Sequence, residues 1–285
     1  MPTSVARVGS NLPNGNFIPE IWHRMMQDKF YPNSVLDEIV NRKYEGSISG
    51  QGSKVYIRQR PTVVVNDYDV NSELSYQDLQ DDKLELVIDK SISYAFKMDD
   101  IDKAQADINI VQETTADAAQ QMATKIDRDV LGSTYVDATT ALSSTAATAT
   151  NVLGWIVDAM TALDEKNVPI DGRFVVVPPW VLGNIMKSDL KDASIAGDST
   201  SILRNGKVGT IGNATLYMSN NLATDGTTWN CIAGTKHAIS FASQLVKTEN
   251  IRLQNTFGEA IRGLRVYGYK VVVPDALVHM PATKS

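Results

Sequence analysis

Cysteine is nearly absent from this chain, since Cys231 is the only one among 285 residues. A single thiol excludes an internal disulfide and a metal site of the Cys-x-x-Cys type. We interpret Cys231 as a buried thiol in a strand beside Trp229. The three histidines are scattered without metal-ligand spacing, and no Gly-x-Ser-x-Gly nucleophile motif occurs. The sequence therefore predicts neither a catalytic centre nor a cofactor.

Long apolar runs and clusters of basic residues are missing as well. The longest apolar runs, residues 174–177 and 271–273, fall far short of the roughly 18 residues that a membrane-spanning helix needs. Residues 1–16 lack the apolar core of a signal peptide, so we expect folding in the cytoplasm. Lys and Arg number 27 against 33 Asp and Glu, a net charge of −6, and no basic block is present for gripping DNA phosphates.

Two segments, residues 54–65 and 84–96, predict a β-hairpin with one polar face. Pro61 marks the first segment as an edge strand, because proline cannot donate a hydrogen bond to a ladder. The second segment alternates between apolar and polar residues, as a half-buried strand does. Its apolar positions are Leu84, Leu86, Ile88, Ile92, Tyr94 and Phe96.

The connection between these segments, residues 66–82, is acidic and contains no basic residue. A loop of this length favours a functional projection. Its acids are spaced much as in a calcium loop, but Ser72 replaces the required glycine and Asp78 the required glutamate. A divalent ion here stays an open alternative; we favour pairing with basic residues of another subunit, at about 0–1 kcal/mol per pair. The candidate contact residues are Arg58, Arg60, Asp67, Asp69, Glu73, Asp78, Arg262 and Arg265; for the four arginines, exposure to solvent on the strand faces stays the alternative.

A long amphipathic helix is predicted over residues 99–131. Apolar or small residues recur every three or four positions from Ile101 to Val130, which is the period of one helix face. Asp99 or Asp100 would cap the helix, and Gly132 follows its end. At about 1.5 Å per residue the helix is about 45–50 Å long. Neither the hairpin nor this long helix can bury its apolar face within its own span. This indicates that these faces are buried against neighbouring copies of the chain.

The remainder of the chain predicts a mixed α/β body, beginning with a helix–strand–helix run within residues 152–190. Residues 191–213 predict a long surface loop. Its glycines Gly206, Gly209 and Gly212 lead into a strand, which argues against a phosphate loop. Short strands are expected near 214–219, 230–233 and 237–241, followed by a closing strand pair over 245–253 and 259–273 that Pro274 ends.

In this order of parts the chain resembles the tailed-phage major capsid proteins of the Hong Kong 97 type. The likeness extends over nearly the whole chain and includes the two hairpin segments, the helix KMDDIDKAQADINIVQETTADAAQQMATKIDRDVL, RFVVVPPWVLGNIMKS and the closing GLRVYGYKVVV. It implies an α+β fold of that type. The parts would be an N-terminal arm (1–45), an extended β-hairpin loop (46–97), a peripheral domain with the spine helix (98–175 and 243–285) and an axial domain (176–242).

The resemblance also implies a function. The chain would be the coat subunit of an icosahedral phage head, forming hexamers and pentamers around double-stranded DNA, with no enzymatic activity and no cofactor. The hairpin of one copy would lie over the body of the next, and the N-terminal arm would reach under a neighbour. The implied partners are further copies of the chain, a separate scaffolding protein, a portal and non-specifically packaged DNA, without a membrane. Assembly would take place in the host cytoplasm, and no covalent crosslink between subunits is expected.

Two alternatives lead to different expectations. An encapsulin-like shell of a bacterial nanocompartment would share the fold but would begin with a helix beside a cargo pocket, whereas residues 1–16 show little periodicity. An enzyme or small-ligand protein with a β-arm would be a stable monomer.

Overall fold

The computed structural model describes residues 31–32, 34–45, 54–58, 61, 63–65, 67, 76–78, 83–99, 110–188, 207–254 and 257–284. In these residues helices and sheets are mixed, as the sequence predicts. The helices are α1 (Leu36–Ile39), α2 (Ile110–Leu131), α3 (Val152–Glu165) and α4 (Pro179–Lys187), with 3-10 turns at Thr134–Asp137 and Pro274–Ala276. The strands are β1 (Lys54–Arg58), β2 (Lys83–Val87), β3 (Lys90–Asp99), β4 (Thr140–Ala141), β5 (Thr145–Ala146), β6 (Arg173–Val177), β7 (Lys207–Ile211), β8 (Ala214–Met218), β9 (Thr228–Thr235), β10 (Ile239–Arg252), β11 (Gly258–Val271) and β12 (Leu277–Thr283).

A three-stranded antiparallel sheet has the order β10–β11–β3. Strands β10 and β11 form the closing pair that the sequence predicts, and they pair from end to end. The short strand predicted near 237–241 is the beginning of β10. Strand β3 pairs with the other edge of β11, from Lys90 opposite Tyr267 to Asp99 opposite Gly258.

The predicted hairpin is confirmed where β1 and β2 pair antiparallel as a separate two-stranded sheet. Its second segment, however, is not one strand over residues 84–96. The strand is interrupted at Ile88 and Asp89, and the residues after this break form β3. Because β3 pairs with β11 of the same chain, the latter half of the second segment is an edge strand of the subunit's own three-stranded sheet. The alternation has the same register on both sides of the break, with Lys90 as the one polar residue at an apolar position, so the period alone does not reveal the break.

The long helix is confirmed over Ile110–Leu131, and of the two predicted cap residues Asp99 is wrong and Asp100 is untested. Asp99 is the last residue of β3 and therefore does not cap the helix, while residues 100–109 lie outside the described residues. The predicted apolar stripe is buried at Met122, Ile126 and Val130, which are 8%, 2% and 0% exposed. This face of α2 belongs to the main hydrophobic core.

The second sheet has seven strands, in the order β4–β12–β9–β6–β8–β7, with β5 also paired to β12. Strand β6 is buried along its whole length, as its continuous apolar run predicts. Helix α3 packs on this sheet through Trp155, Ile156 and Leu163, which lie in the same core. Cys231 lies on β9 and is fully buried, so the predicted buried thiol is confirmed, and burial raises its pKa.

Strand β12 was missed by the sequence analysis, which ended the β structure at Pro274. The sequence obscures it because Pro281 lies within it, and proline cannot donate to a neighbouring strand. The structure accommodates this proline at a gap in the pairing along the edge of β12 that faces β4 and β5. Strand β4 pairs with β12 up to His279 and β5 pairs from Ala282 onward, so neither short strand is opposite Pro281.

Part of the predicted surface loop at 191–213 is a strand. Residues 207–211 form β7, which pairs antiparallel with β8, and residues 189–206 lie outside the described residues. Gly212 has a φ of +58° in the tight turn between the two strands, a conformation that glycine adopts without strain. The interpretation that the glycines do not build a phosphate loop fits this geometry.

The end of the predicted N-terminal arm belongs to the folded body. Val35, Leu36, Ile39 and Val40 are all buried in the main core, and Asn41 forms a parallel bridge to Ser240 at the start of β10. Residues 35–41 of the predicted arm therefore pack on the folded body, and residues 1–30 lie outside the described residues.

A buried carboxylate ties this segment to α2 and to the loop before β9. Asp127 is 0% exposed. Its Oδ1 accepts hydrogen bonds from the Ser34 hydroxyl and the Val35 N–H, each at 3.3 Å, and its Oδ2 accepts one from Asn221 Nδ2 at 2.7 Å. Burial raises the pKa of Asp127, although these hydrogen bonds favour the charged form.

The division into peripheral and axial domains stays a prediction. Its boundary at residues 175 and 176 falls inside β6. Strand β12, in the segment assigned to the peripheral domain, pairs with β9 in the segment assigned to the axial domain. The seven-stranded sheet thus crosses the predicted boundary.

Candidate assembly surface

The root of the β1–β2 hairpin is held on its own subunit by an apolar cluster. Ile57 and Leu86, on opposite strands of the hairpin, are 5% and 0% exposed and pack with Ala242 of β10. Tyr44 and Val272 pack against the same cluster. Burying two aliphatic side chains of this size contributes about 3–6 kcal/mol to holding the hairpin in place.

Close backbone approach is possible here because two small residues lie opposite each other. Ala242 pairs with Gly268 across β10 and β11. A Cβ added to Gly268 would lie 2.2 Å from the Val87 carbonyl oxygen and 3.0 Å from the Ile88 Cα. The chain leaving β2 therefore crosses β11 directly over Gly268. We call Ile57, Leu86, Ala242 and Gly268 the hairpin mount.

The opposite face of the same sheet carries a polar cluster against the end of α2. Because side chains alternate along a strand, Tyr267 and Tyr269 face away from the hairpin mount. The Lys90 ammonium lies 2.7 Å from Asp129 Oδ2 and 2.6 Å from the Tyr269 hydroxyl. The Tyr267 hydroxyl donates to Asp129 Oδ2 at 3.0 Å, and the Ser133 hydroxyl lies 2.5 Å from that of Tyr269. We call these five residues the polar junction.

The charge state of the polar junction is well defined at neutral pH. Burial opposes the charge on Lys90, but its hydrogen bonds to Asp129 and Tyr269 outweigh burial and raise its pKa. Burial and the hydrogen bond to Asp129 raise the pKa of Tyr267. Lys90 is therefore a cation and Tyr267 a neutral hydroxyl, and Lys90 also lies 4.3 Å from the centre of the Tyr269 ring.

Beyond its root the hairpin carries exposed apolar residues. Val63, Val64 and Val65 are 61%, 61% and 92% exposed, and Tyr76 is 92% exposed. The Val64 N–H donates to the side-chain oxygen of Gln77 at 3.0 Å, which brings the two sides of the loop together. Three consecutive exposed valines are unusual on a soluble subunit unless another surface covers them.

The structure locates five of the eight charged contact candidates. Arg58 is exposed at the end of β1, and Asp67 and Asp78 are exposed in the loop. Arg262 donates to Glu249 of its own chain at 2.8 Å, and Arg265 donates to the Ser243 hydroxyl at 2.9 Å. Arg60, Asp69 and Glu73 lie outside the described residues.

Pairing between the acidic loop and these bases across subunits stays a prediction. The own-chain hydrogen bonds of Arg262 and Arg265 compete with it. The exposed valines were not among the sequence candidates, although the run Val63–Val64–Val65 in a predicted edge strand was the signal that pointed to them.

Within the described residues, no group of three or more His, Cys, Asp or Glu side chains could hold a metal ion. A groove of about 540 Å³ beside the N-terminal segment is lined in part by Arg42 and Lys236. Both bases pair with acids of the same chain, Asp37 and Glu38.

No helix in the described part of the chain is long and apolar enough to cross a membrane.

Comparison with known proteins identifies the family. A family model described as phage capsid protein matches residues 83–280. The structure titled Mycobacterium phage Che8 is 33% identical in sequence, with a TM-score of 0.78, over 93% of this chain and 97% of that one. No curated protein sequence matches significantly.

More distant structures share the fold. The capsid of the cyanophage P-SCSP1u has a TM-score of 0.72 at 14% identity, over 100% of this chain and 99% of that one. The mature capsid of bacteriophage PhiM1 has a TM-score of 0.71 at 15% identity, over 99% and 97%. These similarities confirm the predicted capsid fold, and the nanocompartment alternative is not favoured. The chain therefore belongs to the phage capsid protein family and is a major capsid protein, with a structural role in the virion capsid.

Proposed function

We propose that copies of this chain assemble head to tail into hexamers and pentamers, which close into an icosahedral shell around double-stranded DNA. Head-to-tail contacts of one kind generate closed rings when the rotation between neighbours closes. Assembly takes place in the host cytoplasm, with a separate scaffolding protein and a portal as partners. With a net charge of −6, the chain encloses DNA without a strongly cationic surface.

The observation that carries this proposal is the contrast between the two ends of the hairpin. Its root is buried in the hairpin mount, whereas Val63, Val64, Val65 and Tyr76 are largely exposed. A hairpin held at its root leaves these residues available for contact with another copy. In the assembly, the outer part of the hairpin lies on the body of the next copy, and the valines are covered there.

Replacing the three valines by threonine tests this contact, because threonine has the same shape but a more polar surface. We expect the free subunit to keep its melting temperature, since the valines are exposed in it. The concentration needed for assembly should rise, because each threonine loses part of the about 1.5–3 kcal/mol that full burial of a valine contributes, and three positions change together. Size-exclusion chromatography and negative-stain electron microscopy over a concentration series measure the amounts of free subunit and of assembled particles.

The matched control is Val157→Thr, which changes a 54% exposed valine on α3. It should leave assembly unchanged if α3 lies outside the contact. Wild-type protein that stays monomeric at every concentration, with or without its scaffold, contradicts the proposed function. Normal assembly of the triple threonine variant contradicts the role given to the valines.

The acidic loop is tested by replacing Asp67 and Asp78 with asparagine, which keeps their shape. Wild-type assembly should weaken as salt rises, because exposed ion pairs are screened. The double variant should assemble less readily at low salt, by about 0–1 kcal/mol per lost pair, and should respond less to added salt. Asp158→Asn on the exposed side of α3 is the control. An unchanged salt response in the double variant would show that the acids make no ion pair between subunits.

A further inference from the structure

We propose that Lys90 fixes the angle at which the β1–β2 hairpin leaves the subunit, and that this angle selects the curvature of the shell. The inference rests on the proposed function, because it concerns which shell the subunits build. Lys90 acts as a positioning residue, since the contact with the next copy is made farther out on the hairpin.

The hairpin leaves the subunit at one short break in the chain. Ile88 and Asp89 separate β2 from β3, and Lys90 is the first residue of β3. The chain on one side of the break lies over Gly268. On the other side, Lys90 is opposite Tyr267 in the β3–β11 ladder. A change of direction at this break rotates the whole hairpin relative to the sheet.

The apolar contacts at the mount do not define an angle by themselves. Ile57 and Leu86 pack on Ala242, and apolar attraction has no preferred direction, so these side chains tolerate a small rotation. Hydrogen bonds weaken steeply when their geometry changes. The polar junction therefore supplies the directional restraint that the hairpin mount lacks.

Lys90 is the member of the polar junction that connects it to the break. Its ammonium contacts Asp129 at 2.7 Å and Tyr269 at 2.6 Å, on two different elements. Asp129 belongs to α2 and Tyr269 to β11. The first residue after the break is thus joined to both the helix and the sheet. Without the ammonium group, Asp129 keeps Tyr267 as a partner, and the break loses this restraint.

A small rotation at the break becomes a larger displacement along the hairpin. Strand β1 alone has five residues, and at about 3.3 Å per residue its ends are about 13 Å apart. A rotation of about 10° at its root moves its far end by about 2 Å, and residues farther out by more. A displacement of this size changes the angle between neighbouring copies, and hence the number of copies that closes a shell.

The test compares full-length Lys90→Met, which keeps the aliphatic stem and removes the charge, with Lys90→Arg, which keeps the charge. Lys166→Met is the control, because Lys166 pairs with Asp275 at 3.8 Å on the surface and not with the hairpin. Particle diameters are measured by cryo-electron microscopy, and subunit stability by thermal melting. Diameter is informative because a purely structural role would change melting and yield without shifting it.

We expect Lys90→Met to raise the share of particles with aberrant diameter several-fold, with the melting temperature of the subunit nearly unchanged. Lys90→Arg should stay closer to the wild type, and Lys166→Met should match it. Should Lys90→Met fail to fold, Tyr269→Phe removes one partner of Lys90 and keeps the ring, and it should shift the diameters in the same direction.

Wild-type diameters in both Lys90→Met and Tyr269→Phe would overturn the inference, as would equal deviation of Lys90→Arg and Lys90→Met. These outcomes differ from failure of the proposed function, in which the wild type itself forms no closed particles.

Discussion

Gly268→Ala is expected to lower the free energy of unfolding of the subunit by about 2–3 kcal/mol, at the upper end of the cost of overpacking. The added methyl group would lie 2.2 Å from the Val87 carbonyl oxygen, which is well inside contact distance. The carbonyl oxygen is part of the backbone and cannot turn aside as a flexible side chain could, so relief requires β2 to move away from β11 and disturbs the packing of Ile57 and Leu86 on Ala242. Urea denaturation of the unassembled subunit measures the change.

Gly154→Ala is the matched control for this substitution. Gly154 lies within α3, and a Cβ there meets nothing within 4 Å. Alanine should therefore stabilise the subunit by about 0.5–1 kcal/mol, since glycine is a poor helix former. The two glycine substitutions are expected to act in opposite directions. Equal stability of Gly268→Ala and wild type would mean that β2 does not cross β11 as closely as described.

Asp127→Ala is expected to destabilise the subunit by about 2–3 kcal/mol. The alanine leaves the buried Val35 N–H and Asn221 Nδ2 without their acceptor, and each buried unpaired donor costs about 1–3 kcal/mol, whereas the hydroxyl of the exposed Ser34 can bond to water. Removal of a buried carboxylate recovers part of this cost. The N-terminal segment should become more accessible, which hydrogen exchange at Val35 and Leu36 would detect.

Asp127→Asn separates the loss of hydrogen bonds from the loss of charge. Its carbonyl oxygen keeps the bonds from Ser34 and Val35. Its amide finds an acceptor if the Asn221 side chain rotates by half a turn and presents its oxygen. Asn221 Oδ1 has no hydrogen-bond partner among the described residues, so the rotation breaks no bond made by that oxygen. We therefore expect this variant to be close to the wild type in stability.

The stabilities of the wild type and of Asp127→Asn should depend differently on pH, and the direction of the difference follows from the pKa of Asp127. The pKa of Asp127 is higher in the folded subunit than in the unfolded chain. The stability that its protonation contributes is fully present below the unfolded pKa of about 4, and is lost as the pH rises through the folded pKa. Asparagine does not titrate, so Asp127→Asn should gain stability relative to the wild type as the pH rises above about 4. Denaturation at several pH values measures this, and parallel curves would contradict it.

Periodic patterns in the sequence predicted individual helices and strands. The hairpin, the helix face at Met122, Ile126 and Val130, strand β6 and the β10–β11 pair all follow from the spacing of apolar residues. The resemblance to capsid proteins then supplied the fold and the family. The acidic composition of residues 66–82 pointed to the hairpin loop. It indicated the charged side chains there and not the exposed valines.

Contacts between distant parts of the chain could not be predicted from periodicity. The alternation keeps its register across the break at Ile88 and Asp89, and the one local sign of the break is Lys90 at an otherwise apolar position, so periodicity did not separate β2 from β3. Asp99 has the chemistry of a helix cap and nevertheless ends a strand, because pairing with Gly258 on β11 fixes its backbone. Gly268, inside a predicted strand, is the kind of residue that marks a close backbone approach, but the sequence does not identify the partner, which lies about 180 residues earlier in the chain.

The burial of Cys231 makes this protein convenient for optical work. It is the only cysteine in the chain, and it is fully enclosed in β9 with a raised thiol pKa, so thiol-reactive dyes should leave it unmodified while the subunit is folded. A cysteine introduced at Val65 would then be the only site that takes up a fluorophore. Its emission would report, in real time, when the outer hairpin passes from water into a covered environment.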